Sequence, residues 1–178
     1  HPETAQGRQE EGEEKVMARR VSFVCVVSMV LALLSVSAFA AVPMKKHDVK
    51  WMSYSKALEK AKQNPRLIFV DLYADWCLPC RVMDANVYTD PTVASLLNDK
   101  FYAVKLDVDS KEKITCDGEH KVVQECMTQV WELSTLPSFV LLAPKGLSIL
   151  TVTDSMSPQE LQSLLYQFLA KEEEWSKR

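Results

Sequence analysis

The most informative stretch of the sequence is a short apolar run that leads directly into a pair of cysteines. It reads Val70-Asp71-Leu72-Tyr73-Ala74-Asp75-Trp76-Cys77-Leu78-Pro79-Cys80-Arg81. Its first residues continue an apolar and β-branched run from Leu67, which is typical of a strand buried on both faces of a parallel sheet. Pro79 stands where the first turn of a helix tolerates proline. The stretch therefore predicts a strand, a turn and a helix that begins at the cysteines.

Two cysteines at this spacing can carry out thiol–disulfide exchange. At a helix start, unpaired backbone N–H groups and the helix dipole stabilise a thiolate, so Cys77 is predicted to be the exposed nucleophile. Cys80, one turn further in, is predicted to be shielded and to resolve a mixed disulfide formed on Cys77. The same spacing also fits a structural disulfide or half of a zinc site, which would have to recruit Cys116, His120 and Cys126. The strand-turn-helix context favours the redox interpretation.

The remaining chain alternates between helical and strand-like patterns. Helices are expected after Ser53, Asp90 and Ser157 and over residues 122–131, and strands over 101–108, 139–142 and 147–152. Residues 110–119 are polar and are interpreted as a loop. This order predicts an α/β domain with a central mixed β-sheet flanked by helices on both faces.

Length and composition exclude several functional classes. The 178 residues allow one ordinary domain with appendages, and the net charge of -3 gives no basic field for nucleic acid. Beyond the first dozen residues the only glycines are Gly118 and Gly146, so the sequence has no Walker loop and no dinucleotide-binding glycine run.

The N-terminal part resembles a secretory leader. Residues 17–40 begin with a short positive segment and continue as an uncharged apolar run that contains Cys25 and ends in Ala38-Phe39-Ala40. Small residues at this point predict cleavage after Ala40, with an uncleaved membrane anchor as the alternative. Residues 1–16 are interpreted as a disordered or artefactual extension, and residues 45–178 as the exported domain, where disulfides can persist.

Three separate motifs resemble the thioredoxin superfamily over about residues 48–170. The first is the stretch quoted above, and the other two are Val104-Lys105-Leu106-Asp107-Val108-Asp109 and Leu136-Pro137-Ser138-Phe139. Together with Asn86-Val87-Tyr88-Thr89-Asp90-Pro91, the first motif is most similar to the C-terminal periplasmic domain of DsbD-type thiol:disulfide interchange proteins. The resemblance implies a thioredoxin-like fold in the periplasm.

The resemblance also implies roles for residues outside the cysteine pair. Asp71 matches a buried acid that relays a proton for the resolving cysteine, and Lys105 matches its neighbouring lysine. Pro137 matches a cis-proline that faces the active site, with Leu136 beside it in the substrate-binding groove. Trp76 is expected to pack beside the sulfurs, with substrate contact as its second role. A hydrogen-bonded strand Asp, a solvated Lys and a trans-proline are the structural alternatives.

The other two cysteines of the exported part, Cys116 and Cys126, lie ten residues apart. We expect a structural disulfide between a polar loop and an apolar helix face. A second redox pair, or a metal site that includes His120, remains an alternative; otherwise no metal site is expected.

The sequence therefore predicts an exported thiol:disulfide oxidoreductase that needs no cofactor and acts as a monomer. No histidine lies between Cys77 and Cys80, which favours a reductase or electron relay. Expected partners are exported proteins with disulfides and a membrane thiol electron donor; membrane contact is expected only if the leader is retained. The alternatives are a disulfide oxidase or isomerase, or a non-enzymatic module that binds peptides or a metal.

Overall fold

The computed structural model describes residues 47–171 and Glu174. The expected extension over residues 1–16 and the expected leader over residues 17–40 lie outside the described residues, as do the last positions of the expected domain. Within the described residues, no helix has the length and apolar character needed to cross a membrane.

Helices and strands alternate along the described chain. The helices are α1 (Tyr54–Gln63), α2 (Leu78–Asn86), α3 (Pro91–Lys100), the single turn α4 (Val123–Glu125) and α5 (Pro158–Leu169). The strands are β1 (Ile68–Tyr73), β2 (Tyr102–Asp107), β3 (Lys113–Cys116), β4 (Glu119–Val122), β5 (Ser138–Leu142) and β6 (Ser148–Thr153).

The central sheet has four strands in the order β2-β1-β5-β6. Strand β1 is parallel to β2 and antiparallel to β5, and β6 is antiparallel to β5. Met52 adds one parallel bridge at Val104, on the outer edge of β2. The sheet is mixed, as the sequence predicts.

Apolar side chains from β1 enter two separate cores because successive residues of a strand point to opposite faces. Ile68, Val70 and Leu72 pack with α1 and with the segment around β3 and α4. Phe69 packs on the other face against α2, α3 and α5. Helices cover both faces of the sheet, which confirms the predicted α/β architecture.

Two helix starts confirm the local rules on which their prediction rested. The Asp90 carboxylate accepts hydrogen bonds from the N–H groups of Thr92 and Val93 at the start of α3. At the start of α5, Ser157 and Glu160 form a reciprocal capping box. Each arrangement satisfies backbone donors that a helix start would otherwise leave unpaired.

The predicted loop over residues 110–119 is wrong, because most of it belongs to a hairpin. Strands β3 and β4 pair in antiparallel register around Asp117 and Gly118, which have φ values of 46° and 90°. Such positive φ values at both central positions define the hairpin turn for which Asp-Gly is a strong signal, so these two residues by themselves indicate the turn. The Asp117 carboxylate accepts two 2.6 Å hydrogen bonds from Ser148, and these tie the hairpin to the start of β6.

The predicted helix over residues 122–131 is also only partly correct. The α-helical turn α4 is followed by a π-helical segment, Cys126–Val130, in which the backbone widens. The Trp131 N–H donates to the Cys126 carbonyl, five residues earlier, at 2.9 Å. Apolar spacing alone does not distinguish this wider turn from an α-helix, because both bury one face.

Candidate active site

The first turn of α2 is built around the Cys77–Cys80 pair. Cys77 is the N-cap residue of the helix and forms a disulfide with Cys80, with their Cα atoms 5.3 Å apart. The Cys80 N–H donates to the Cys77 sulfur at 3.2 Å. Helix-start N–H groups stabilise negative charge on a neighbouring sulfur, so this donor would favour a Cys77 thiolate after reduction.

Both sulfur-bearing residues are buried in the disulfide form. Cys77 and Cys80 are each 3% exposed, whereas the flanking Trp76 and Leu78 are 67% and 63% exposed. The expected difference in exposure between the two cysteines is therefore absent in this state, because the covalent bond holds both sulfurs together at the helix start. Their separate roles as nucleophile and resolving thiol stay predictions.

Trp76 lies on the surface beside the cysteine pair. Its indole N–H donates to the Asp109 carboxylate at 2.8 Å. Because the residue is mostly solvent-exposed, the expected packing role is wrong. The hydrogen bond fixes the indole at the surface, and its expected contact with substrate stays a prediction.

Asp71 lies within the sheet, on the face covered by α2. It is 2% exposed and occupies the register position beside Lys105 on the parallel strand β2. The Lys105 ammonium lies 3.8 Å from the Asp71 carboxylate. The parallel register thus brings together the two residues that the resemblance pairs.

Burial changes the acidity of Asp71. It raises the pKa of this carboxyl from 3.8 to about 7, because the charged form loses its hydration. The Lys105 charge opposes the shift and the Asp84 charge adds to it. Asp71 can therefore gain or lose a proton near neutral pH, as a proton relay requires.

Tyr88 is the buried neighbour of Asp71 on this face. The pKa of the Tyr88 phenol lies well above its usual value. Burial is the larger cause, and the negative charge of Asp71 is the second. The Tyr88 phenol oxygen is buried and has no hydrogen bond to any of the described residues, so its coupling to Asp71 is electrostatic.

Lys105 is surrounded by aromatic rings and by a second carboxylate. Its ammonium lies 4.6 Å from the centre of the Tyr73 ring and pairs directly with Asp84 on α2. Asp84 is not among the site residues predicted from the sequence. Since Asp84 follows Cys80 by four residues, helical spacing placed both on one helix face and could have suggested it.

The Leu136–Pro137 peptide bond is cis, as the resemblance implies. Ser138, the first residue of β5, pairs with Leu72 in the antiparallel register. Pro137 therefore lies beside the end of β1, where the chain continues to the cysteines. Pro137 is buried and Leu136 half-buried, and their contact with substrate stays a prediction.

Cys116 and Cys126 form a second disulfide, with their Cα atoms 5.9 Å apart. Both residues are fully buried. Cys116 ends strand β3 and does not lie in a polar loop as expected, because the Asp117-Gly118 turn folds this segment into a hairpin. His120 is exposed on β4, where it pairs in register with Thr115.

Comparison with known proteins assigns the family. The family model Thioredox_DsbH, described as "Protein of unknown function, DUF255", matches residues 35–176. The chain belongs to this family. It is also 30% identical over 90 residues to thiol:disulfide interchange protein DsbD 1 of Pseudomonas aeruginosa. That alignment covers 51% of this chain and only 14% of the relative.

Solved structures agree on the fold. A thioredoxin from Thermus thermophilus matches with a TM-score of 0.57 and 26% identity, over 70% of this chain and 90% of its own. A structure described as "DsbH Oxidoreductase" matches with a TM-score of 0.55 and 16% identity, over 72% of this chain and 89% of its own. The described residues thus form a thioredoxin-like domain of the thiol:disulfide oxidoreductase type.

Proposed function

We propose that this protein is an exported thiol:disulfide oxidoreductase whose reactive pair is Cys77 and Cys80. The observation that carries the proposal is the disulfide across the first turn of α2, in which the Cys80 N–H donates to the Cys77 sulfur. The similarity to a thiol:disulfide interchange protein supports the same reaction.

The proposed reaction is a two-step exchange. After reduction of the pair, the Cys77 thiolate attacks one sulfur of a substrate disulfide, and the other substrate sulfur leaves as a thiolate. The Cys80 thiol then loses its proton and attacks the Cys77 sulfur. This re-forms the Cys77–Cys80 bond and releases the second substrate thiol. The substrate gains two electrons from the pair and two protons, one that Cys80 gives up and one from the solvent, which received it when Cys77 ionised. A donor dithiol must then reduce the pair again.

Asp71 is the proposed acceptor of the Cys80 proton. It is buried on the face of the sheet that α2 covers, and its pKa of about 7 suits a group that takes up and returns a proton near neutral pH. Lys105, paired with it across the strands, holds down the pKa that burial raises.

We further propose that electrons flow towards the substrate, so that the protein is a reductase or electron relay. The absence of a histidine between the cysteines supports this direction. Its partners would be exported proteins with disulfides and a membrane thiol donor. A Cys77/Cys80 reduction potential near about -270 mV is expected, and one near about -120 mV would establish the oxidase alternative.

The reaction itself is tested by trapping. Cys80→Ser keeps the attacking thiol but removes the resolving one, so mixed disulfides with partners should accumulate on Cys77 and be released by reductant. Cys77→Ser is the matched control, with one sulfur removed from the same helix turn, and it should trap nothing. If neither variant forms adducts, and if both thiols of the unaltered protein resist alkylation after mild reduction, the result would favour a non-enzymatic binding module instead. Faster alkylation of Cys80 than of Cys77 would reverse the two roles.

A further inference from the structure

A basic groove of about 300 Å³ lies at the end of the sheet opposite the cysteine pair. It is formed by α1, the end of α3 and the start of β2, whereas the cysteines follow the end of the parallel strand β1. Lys50, Lys56, Lys60 and Arg66 line it, and none of the described acidic side chains does. We call this feature the basic groove.

Two of the four cations are held over an aromatic ring. The Lys60 ammonium lies 5.9 Å and the Arg66 guanidinium 5.5 Å from the centre of the Tyr102 ring. Arg66 also donates to the backbone carbonyl of Asp99 at 2.9 Å. These contacts orient both cations without neutralising either charge.

A backbone clamp holds the third side of the groove. The Lys50 N–H donates to the Asn98 side-chain oxygen at 2.7 Å, and the Asn98 amide donates to the Asp48 carbonyl at 3.1 Å. Asn98 therefore fixes the segment that carries Lys50 against the end of α3. The groove is preformed by the fold and is not simply a set of unrelated surface lysines.

The basic groove concentrates positive charge in one place. Lys56 and Lys60 are four residues apart on α1, so their like charges share one helix face. Among the described residues, no ion pair joins any of the four cations to a carboxylate. This local excess of positive charge exists in a chain whose net charge is -3. A multivalent anion would relieve the repulsion.

We propose that the basic groove binds a phosphate-bearing anion. The planar guanidinium of Arg66 suits two oxygens of one phosphate, and lysine ammonium groups suit its remaining charge. The groove is of the size that accepts a small molecule or a headgroup. Recognition is by side chains, in keeping with the absence of a phosphate-cradling glycine loop. The ligand's source is either a free phosphorylated molecule or an anionic lipid headgroup, and both offer the same chemistry.

The test uses the full chain and two double variants that remove equal charge. The groove variant, Lys56→Gln/Lys60→Gln, removes the two positive charges that α1 contributes to the groove. The control variant, Lys62→Gln/Lys111→Gln, removes two exposed lysines that do not line it. Inorganic pyrophosphate is titrated by calorimetry at low ionic strength. Cosedimentation with phosphatidylglycerol vesicles, against phosphatidylcholine vesicles, probes the lipid source. Because all proteins carry the same N-terminal segment, its own membrane affinity cancels in the comparison.

We expect binding of one probe to weaken about tenfold or more in the groove variant and to change little in the control variant. If pyrophosphate binding weakens only in the groove variant, the ligand is a free phosphorylated molecule. If the preference for phosphatidylglycerol vesicles weakens only in the groove variant, the ligand is a lipid headgroup. Equal weakening in both variants, or no saturable binding of either probe, overturns the proposal. Neither result bears on the cysteine chemistry, since neither Cys77 nor Cys80 lines the groove.

Discussion

Lys105 and Asp71 occupy paired register positions on neighbouring parallel strands, with 3.8 Å between ammonium and carboxylate. The same ammonium pairs with Asp84 on α2. The Lys105 ammonium therefore interacts with two carboxylates, the buried Asp71 on the sheet and the partly exposed Asp84 on α2. This sharing leaves Asp71 only partly compensated for its burial, so its pKa stays high.

Replacing Asp71 by Asn should stabilise the protein at neutral and higher pH. The pKa of Asp71 is raised from 3.8 to about 7 in the folded state, so its contribution to stability is full below about pH 4 and is lost as the pH rises through about 7. Asn stays neutral throughout. Urea unfolding of the oxidised protein should show the variant's advantage growing from near zero at about pH 4 to a plateau of at most about 4 kcal/mol. A pH-independent difference between the two proteins would contradict the raised pKa.

Two substitutions should move the pKa of Asp71 in opposite directions. Lys105→Met removes the charge that lowers it, so the pKa should rise further. Asp84→Asn removes a charge that raises it and leaves Lys105 to Asp71 alone, so the pKa should fall. Carbon NMR of the Asp71 carboxyl during a pH titration measures both. Asp109→Asn, which removes the hydrogen-bond partner of Trp76, is the control and should leave the pKa of Asp71 unchanged. If Lys105→Met and Asp84→Asn shifted this pKa in the same direction, the two carboxylates would not share the Lys105 charge.

Removing the Cys116–Cys126 disulfide should lower stability and leave the exchange reaction intact. Its loop spans a sequence separation of 10, for which the chain-entropy account gives about 2 to 3 kcal/mol. Cys116→Ala/Cys126→Ala should therefore unfold at lower urea but still reduce a disulfide substrate. Cys77→Ala/Cys80→Ala is the matched control, which closes a separation of only 3 and should lose activity with a smaller loss of stability. Loss of activity in a folded Cys116→Ala/Cys126→Ala protein would instead make this pair a second redox centre.

Replacing Trp76 by Ala should affect protein substrates more than stability. The side chain is 67% exposed, so the free energy of unfolding should change by about 0.5 kcal/mol or less. If the indole contacts substrate, kcat/KM should fall for a protein disulfide but not for a small aromatic disulfide reagent. Tyr166→Ala, another exposed aromatic residue but on α5, should alter neither rate. Equal rates for Trp76→Ala and the unaltered protein would remove the substrate-contact role.

The leader hypothesis predicts that the exported protein begins at Ala41. Small residues at Ala38 and Ala40 fit the cleavage rule, so processing should remove residues 17–40. Intact-mass measurement of protein recovered from the cell envelope tests this directly. Retention of Arg19 and Arg20 in that mass would establish the anchored form.

Much of the candidate site could be predicted because its information lies close together in the sequence. The strand, the turn, the N-cap cysteine and the first-turn proline occupy twelve consecutive residues, residues 70–81. Asp84 and Asp109 were missed because their contacts cross the chain: Lys105 bonds Asp84 across a separation of 21 residues, and Trp76 bonds Asp109 across 33. Helical spacing places Asp84 on the same helix face as Cys80, but its pairing with Lys105 follows only from the packing of α2 on the sheet.

Local backbone requirements explain which elements the sequence alone could specify. Unpaired N–H groups at a helix start favour a capping side chain there, so Asp90 and Ser157 locate the starts of α3 and α5 to within a residue or two. A strand buried on both faces favours a continuous run of apolar residues. The β3–β4 hairpin also has a local signal, the Asp117-Gly118 pair at its turn. The wide π-helical turn after α4 and the equal burial of Cys77 and Cys80 depend instead on tertiary packing. So does the acidity of Asp71, because a carboxylate loses its hydration only when the whole fold closes over it.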